Sequence, residues 1–417
     1  MKLNAITVTA LLLLVWAPLG TAADKPKPPS REFRETKANA EKGRAPDQLR
    51  LGEMFEAGQG VPADPAQAAE WYRKAAEQNL GVAQFKLAFL YFRGEGVGRD
   101  FAAAAKWYRQ AAEQGNDQAR INLGYMYANG LGIEQNYAEA LKWYQQAADQ
   151  GQATAQFNLG FMYENGQGVT QDYAEAAKRY RQAAEQGHDG AQSNLGFLYA
   201  HGLGVEKEDV EAVKWYRKAA DQGNDKAQSS LGYMYYLGQG VARNYVEAAK
   251  WYRNAAGQGN ANAQFNLGFL YASGLGLEKN YAEAIKWYRR AAEQGHDKAQ
   301  CNLGFMYARG QGIEKNYTEA AQWYRKAADQ GNEKAQENLG LLYFQGNGVE
   351  KDYSEAYARL NLAAASDESV KKTRDEVGAR LSDAQVAAAQ QRSEQIRAQL
   401  AARSPVVSRA NPAPDSK

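Results

Sequence analysis

The chain has 417 residues, too many for one ordinary compact core, so it is either several domains or an extended array. Lys and Arg total 50 against 48 Asp and Glu, and this near-balance removes the electrostatic case for nucleic acid or an anionic membrane surface as partner. A single cysteine, Cys301, excludes an intramolecular disulfide, so stability must come from packing.

Residues 1–23 read as a signal peptide. Lys2 supplies the positive start, Ile6 to Trp16 the apolar stretch, and Gly20-Thr21-Ala22-Ala23 a small-residue cleavage region cut after Ala22 or Ala23. The apolar run is shorter than the ~20 residues that span a bilayer. No later apolar stretch is long enough either, so no transmembrane segment is expected in the mature chain. The expected location is outside the cytoplasm, periplasmic or secreted. Residues 24–30 hold Pro26, Pro28 and Pro29 and read as a linker. Residues 31–46 read as an N-terminal capping half-repeat, because Asn39-Ala40-Glu41-Lys42-Gly43 aligns two periods back with Ala111-Ala112-Glu113-Gln114-Gly115.

From residue 47 to 370 the chain repeats itself. Leu-Gly recurs at Leu51, Leu123, Leu159, Leu195, Leu231, Leu267, Leu303 and Leu339, with Leu87-Ala88 in the one gap, and every step is 36 residues. Trp-Tyr follows the same ruler at Trp71, Trp107, Trp143, Trp215, Trp251, Trp287 and Trp323, interrupted by Arg179-Tyr180. Placed at about 100° per residue, each unit reads as two helices. In the third, Ala119, Leu123, Met126 and Tyr127 gather on one face of helix A, which ends at Gly130-Leu131-Gly132 because glycine tolerates the left-handed conformation of a helix C-terminus. Asn136 then stands as N-cap of helix B; Asp64, Asp100, Asp172, Asn244, Asn280, Asn316 and Asp352 hold the same position, and Glu208 holds it in the fifth unit. Small alanines on helix B allow close helix approach, with the Trp expected to fill the gap between units. The fold class is therefore all-α, a right-handed α/α superhelical solenoid of nine 36-residue helix-turn-helix repeats.

After the ninth unit the period stops. Residues 371–403 read as C-terminal capping helices, with helical stretches at 368–380 and 383–402 and Ser382 or Asp383 capping the second. Residues 404–417, rich in Pro, Ser and Asn, read as a disordered tail.

The pattern Ala-x-x-x-Leu-Gly-x-x-Tyr-x-x-Gly-x-Gly-Val, then Asp or Asn, Ala, Trp-Tyr, Ala-Ala and Gly, resembles the Sel-one-like repeat (SLR) family, relatives of tetratricopeptide repeats. The resemblance covers about three quarters of the chain; the departures are Ala88 and Asn79 for Gly, Arg179 for Trp, and Arg359-Leu360 in the ninth helix B. It implies a right-handed α/α superhelix that binds proteins or peptides, often in bacterial envelope and signalling assemblies. Some secreted members are linked to peptidoglycan fragments or β-lactams, but those are cysteine-paired, and this chain lacks the pairs.

No catalytic constellation is visible, and neither a metal nor a cofactor is expected. His188 and His296 lie in Gly-His-Asp loops where other units have Asn116, Asn224 and Asn332, so they read as turn or capping residues, and His201 ends a helix A. Cys301 has no base at a suggestive spacing and reads as a buried thiol. Gly-x-Gly ends helices instead of opening them after a strand, which argues against a phosphate loop. Glu283, Lys286, Arg289 and Arg290 show the alternating charge of a solvated face of helix B.

One row on helix A stands out. Two residues after each Leu lie Phe89, Tyr125, Phe161, Phe197, Tyr233, Phe269 and Phe305; two residues before lie Phe85, Ile121, Phe157 and Phe265. Beside them run Asn122, Asn158, Asn194, Asn266, Asn302 and Asn338. On a helical wheel these positions fall opposite the Leu-Tyr core face, where polar residues belong. Either the rings and amides form a groove for an extended peptide, with rings taking apolar side chains and amides its backbone, or they pack between units. The expected function is a non-enzymatic protein- or peptide-binding scaffold of the bacterial cell envelope, acting through the concave helix-A face. The alternative is a peptidoglycan- or β-lactam-related envelope enzyme or activator; self-association through the solenoid ends is a further expectation.

Overall fold

The computed structural model describes residues 30–364 and 368–403. The expected signal peptide at 1–23, the linker up to residue 29 and the tail at 404–417 lie outside the described residues. Among the described residues every regular element is an α-helix.

The chain divides into two compact units. The first runs to Ala191 and takes in Leu203–Val205; the second comprises Gln192–Gly202 and the residues from Glu206 onward. The first holds α1 (Arg31–Ala40), α2 (Ala45–Ala57), α3 (Pro65–Glu77), α4 (Gly81–Arg93), α5 (Phe101–Glu113), α6 (Asp117–Asn129), α7 (Tyr137–Asp149), α8 (Ala153–Asn165) and α9 (Tyr173–Glu185). The division falls within α10 (Asp189–His201). The second holds α11 (Asp209–Asp221), α12 (Asp225–Leu237), α13 (Tyr245–Gly257), α14 (Ala261–Ser273), α15 (Tyr281–Glu293), α16 (Asp297–Arg309), α17 (Tyr317–Ala328), α18 (Glu333–Gln345) and α19 (Tyr353–Ala363), then α20 (Glu368–Gly378) and α21 (Asp383–Arg403). Even-numbered helices from α2 to α18 are the A helices, and α2, α4, α6, α8, α12, α14, α16 and α18 each pack closely on the B helix that follows.

Local chemistry sets these boundaries. Each A helix from α2 to α18 ends at a glycine in the left-handed region, such as Gly130 at φ 65° and Gly202 at φ 66°. The B helices start at Asn or Asp caps: Asn136 Oδ1 accepts from the Glu139 N–H at 3.0 Å, and Asp100 from Ala103 at 2.9 Å. Glu208 occupies the cap position of α11 without a side-chain bond. The cap residue also donates its own N–H back to helix A, as Asn136 does to the Tyr127 carbonyl at 2.9 Å, which closes the A–B loop.

The Leu-Gly signature is explained by the Tyr of helix B. Tyr72, Tyr108, Tyr144, Tyr180, Tyr252 and Tyr324 are among the largest fully enclosed side chains. A Cβ at Gly124 would stand 2.8 Å from the Tyr144 ring, and one at Gly304 2.8 Å from Tyr324. Close packing leaves no room there for even a methyl group. The preceding Trp fills the gap between units as expected: Trp71, Trp143, Trp215 and Trp251 are buried, Trp107, Trp287 and Trp323 half-buried, and Trp143 and Trp251 pack with Tyr108 and Tyr216 of the repeat before.

Neighbouring repeats are joined by a seam of buried amides that the sequence did not announce. Three residues before the Leu stands a glutamine, enclosed in Gln84, Gln156, Gln228, Gln264, Gln300 and Gln336. Gln264 donates to the Ala256 carbonyl of the preceding B helix at 3.2 Å and accepts from Gln294, at the end of its own B helix, at 2.8 Å. Gln84 repeats this with Ala76 and Gln114. In the third repeat Arg120 breaks the pattern, reaching the Ala112 carbonyl at 3.2 Å and Asp117 at 2.7 Å.

Helix α1 joins the same seam, because Gln48 donates to the Ala40 carbonyl at 3.2 Å and Phe33 meets Phe55 edge-on at 5.4 Å. At the other terminus Gln336 accepts from Arg359, which also pairs with Glu355 at 2.7 Å. Of the two cap candidates for α21, Ser382 is the one used: its Oγ accepts from the Gln385 N–H at 3.4 Å while Gln385 Oε1 accepts from the Ser382 N–H at 2.9 Å, a capping box. The fully buried Ser393 hydroxyl ties α21 to the Ala358 carbonyl at 3.0 Å.

Candidate functional site

The A helices carry the candidate surface, and the structure sorts its residues into two sets. Rings two residues before the Leu lean back onto helix B. Phe85 lies 5.8 Å from Tyr108, Phe157 5.7 Å from Tyr180, and Phe265 5.7 Å from Tyr288. Phe157 also stacks on His188 at 4.5 Å and Phe265 on His296 at 4.7 Å. Ile121 is buried, and Phe265 keeps only 2% of its surface exposed. These side chains hold repeats together.

The two histidines owe their place to that stack and to a cap. His188 Nδ1 accepts from the Ala191 N–H and His296 Nδ1 from the Ala299 N–H, each at 3.2 Å, a bond that needs the nitrogen unprotonated. Burial pushes both imidazoles below the usual histidine range. His201 lies against Phe197 with ring centroids 4.1 Å apart. Burial pushes the Cys301 thiol up to about 12, so it stays protonated at neutral pH. Among the described residues no cluster of His, Cys, Asp and Glu could hold a metal ion.

The asparagines divide as well. Asn122 and Asn302 hydrogen-bond the enclosed hydroxyls of Tyr108 and Tyr288 on the preceding B helices. Asn158 and Asn266 are buried, while Asn194 is half-buried. In the first repeat Tyr72 donates instead to Glu56, five residues after the Leu of its own helix A, at 2.6 Å. Not every amide has such a partner: among the described residues Asn158 Nδ2, Asn266 Oδ1 and the Tyr252 hydroxyl are enclosed without a hydrogen bond.

Rings two residues after the Leu are more open. Phe89, Tyr125, Phe161, Phe197, Tyr233 and Phe269 are half-buried, and Phe305 is 40% exposed. Their neighbours lie along the A-helix face. Arg93 sits 5.7 Å over Phe89 and Arg309 5.6 Å over Phe305, each one turn further along the helix. The sequence reading missed a third ring position, five residues after the Leu, which connects successive A helices: Phe92 meets Tyr125 at 6.4 Å, and Tyr236 meets Phe269 at 6.2 Å. Reading the same 36-residue ruler at that offset would have shown it.

Among the described residues no helix is long and apolar enough to cross a membrane. Two-helix layers of constant length, sharing an amide seam, define a helix-pair repeat protein. The Sel1 repeat sequence pattern matches residues 45–80, 81–116, 117–152, 153–188, 190–224, 225–260, 261–296, 297–332 and 333–367, and the chain belongs to the Sel1 repeat family. Proteins of this family are generally scaffolds for protein interaction.

Two solved structures resemble it. One is c5321, a protective antigen present in uropathogenic Escherichia coli strains and displaying an SLR fold; it is 33% identical with a TM-score of 0.52, covering 91% of this chain and 99% of its own. The other is a Sel1 repeat protein from Oxalobacter formigenes, 30% identical with a TM-score of 0.60, covering 79% of this chain and 98% of its own. Among curated proteins none matches.

Proposed function

We propose that this chain is a non-enzymatic scaffold of the bacterial cell envelope, exported through its leader, that binds a protein or extended peptide along the A-helix face. The observation that carries the reading is the row two residues after the Leu: rings that rest on the core by one side and stay partly open to solvent, the most open being Phe305. Single exposed apolar residues are ordinary on any surface, but a ring recurring at one register is a surface. The groups a catalyst would draw on are otherwise engaged, His188 and His296 as caps and Cys301 as a protonated thiol. The similar Escherichia coli chain is a protective antigen, and an antigen that protects is reachable from outside the cell, which supports export.

Substituting Tyr233, Phe269 and Phe305 together by Ser abolishes capture of a peptide partner while the helical circular dichroism stays near native. Undiminished capture by a folded triple variant would refute the face. Deleting residues 1–23 retains the chain in the cytoplasm on cell fractionation; continued export would refute the envelope location.

A further inference from the structure

We infer that the A-helix face of the second unit selects an extended segment that carries carboxylates beside apolar side chains, an inference that rests on the binding face proposed above. On α16, Lys298, Asn302, Phe305 and Arg309 follow one another at steps of four, three and four residues, and so form one stripe along the helix. Arg309 reaches over the exposed Phe305 ring, and no carboxylate among the described residues pairs with it. The matching stripes are Lys226-Ser230-Tyr233-Leu237 on α12, Asn262-Asn266-Phe269-Ser273 on α14 and Lys334-Asn338-Leu341-Gln345 on α18. Cations occur in three of these four stripes, and an acid in none.

The nearby acids are committed elsewhere. Asp225 accepts from Asn260 at 2.9 Å and Asp297 from Asn332 at 2.8 Å, both bonds joining the start of one A helix to the cap of the next. Glu337 neutralises Lys334 at 2.7 Å, which leaves Lys226 and Arg309 without a carboxylate partner among the described residues. On the B helices of the same unit Lys214 lies 2.8 Å from Glu211 and Lys286 3.4 Å from Glu283, while Lys218, Arg290 and Lys326 lie over the Trp215, Trp287 and Trp323 rings. The A-helix face therefore offers positive charge and ring surface together, the complement of an acidic, apolar segment.

Geometry fixes the spacing. Packed helices lie about 8–10 Å apart, and a chain in the polyproline-II conformation advances about 3.1 Å per residue with about three residues per turn, so every third residue of the segment faces a new A helix. The probe is therefore a fluorescein-labelled peptide of Leu-Ser-Glu repeats, with Gln and Lys versions as controls, titrated against the full chain by anisotropy. The Glu peptide binds about tenfold more tightly than the Gln peptide, the product of two exposed ion pairs, and loses the advantage at high salt. Lys226→Gln with Arg309→Gln removes that advantage and leaves the Gln peptide unchanged; Lys226→Glu with Arg309→Glu transfers preference to the Lys peptide.

Equal binding of Glu and Gln peptides, with both lost on Phe305→Ser, overturns the charge selection and leaves the binding face standing. Binding of none of the three, or binding indifferent to Phe305→Ser, overturns both. A dimer in light scattering that these same substitutions dissociate assigns the face to a second copy of the chain and overturns the inference.

Discussion

Phe265 and Phe305 occupy neighbouring A helices, and a helical wheel places both away from the leucine that anchors the repeat, yet one keeps 2% of its surface and the other 40%. The difference lies outside their own helices. Phe265 has Tyr288 beneath it and His296 stacked on it, whereas Phe305 meets chiefly Arg309, one turn further along the same helix. Two aromatics four helical positions apart can therefore serve packing and surface, and the hairpin partner decides which.

The largest test of that contrast is truncation of each ring. Phe265→Ala costs about 3–5 kcal/mol in urea unfolding, the usual loss for an enclosed phenylalanine. Phe305→Ala stays within about 0.5 kcal/mol, as exposed positions do. Comparable losses at the two sites would erase the distinction between them. Beside Phe265, Gln264→Ala removes one bond each from the Ala256 carbonyl, which keeps the Gly259 N–H, and from the Gln294 amide, which keeps the Arg290 carbonyl, and costs about 0.5–1.5 kcal/mol, while Gln→Ala at the exposed Gln345 has no measurable effect.

Smaller, and confined to the packing ring, is a dependence on pH. His188 and His296 accept through Nδ1 and are pushed down by burial, with Asp189 and Asp297 opposing that shift and Lys298 adding to it. Their folded pKa lies below the unfolded value of about 6.5, so the unfolded chain binds the proton more readily. The caps contribute fully above that pH, and their contribution is lost as pH falls through the folded value. Between pH 7.5 and 5 the expected loss is up to about 1 kcal/mol per cap. His296→Asn keeps the cap and removes its share of the dependence; an unchanged pH profile in that variant would count against the assignment. The smallest change expected is a gain: Arg120→Gln restores an amide able to meet Gln150 and raises stability by about 0.5–1 kcal/mol, read as a higher urea midpoint.

What could be read from the chain beforehand follows the distance over which each cause acts. Asn136, Asp172 and Asn280 declare themselves because a cap and its N–H lie within three residues. The Leu-Gly step was equally plain as a period, though its reason, the ring of a tyrosine twenty residues on, was not. Gln264 looked like an ordinary polar surface residue since its acceptor role is filled thirty positions later. Size pointed to Trp215, which is buried, but gave no sign that Tyr216 beside it is enclosed as well, against the glycine twenty residues earlier. For the same reason the wheel could not separate the two ring positions: it treats helix A alone, and the tyrosine that captures Phe265 belongs to helix B.

The second glycine of each Gly-x-Gly loop carries a consequence for how such a chain can grow. A Cβ at Gly276 would stand 2.3 Å from the main chain of Tyr245 in the preceding repeat, and one at Gly240 2.2 Å from the Asp209 carbonyl oxygen. Backbone thus comes close to backbone at these junctions, alongside a glutamine seam that recurs at the same register. A whole repeat can be duplicated or excised as a cassette without recutting its borders, while a residue inserted into the loop itself would lift one layer off the next.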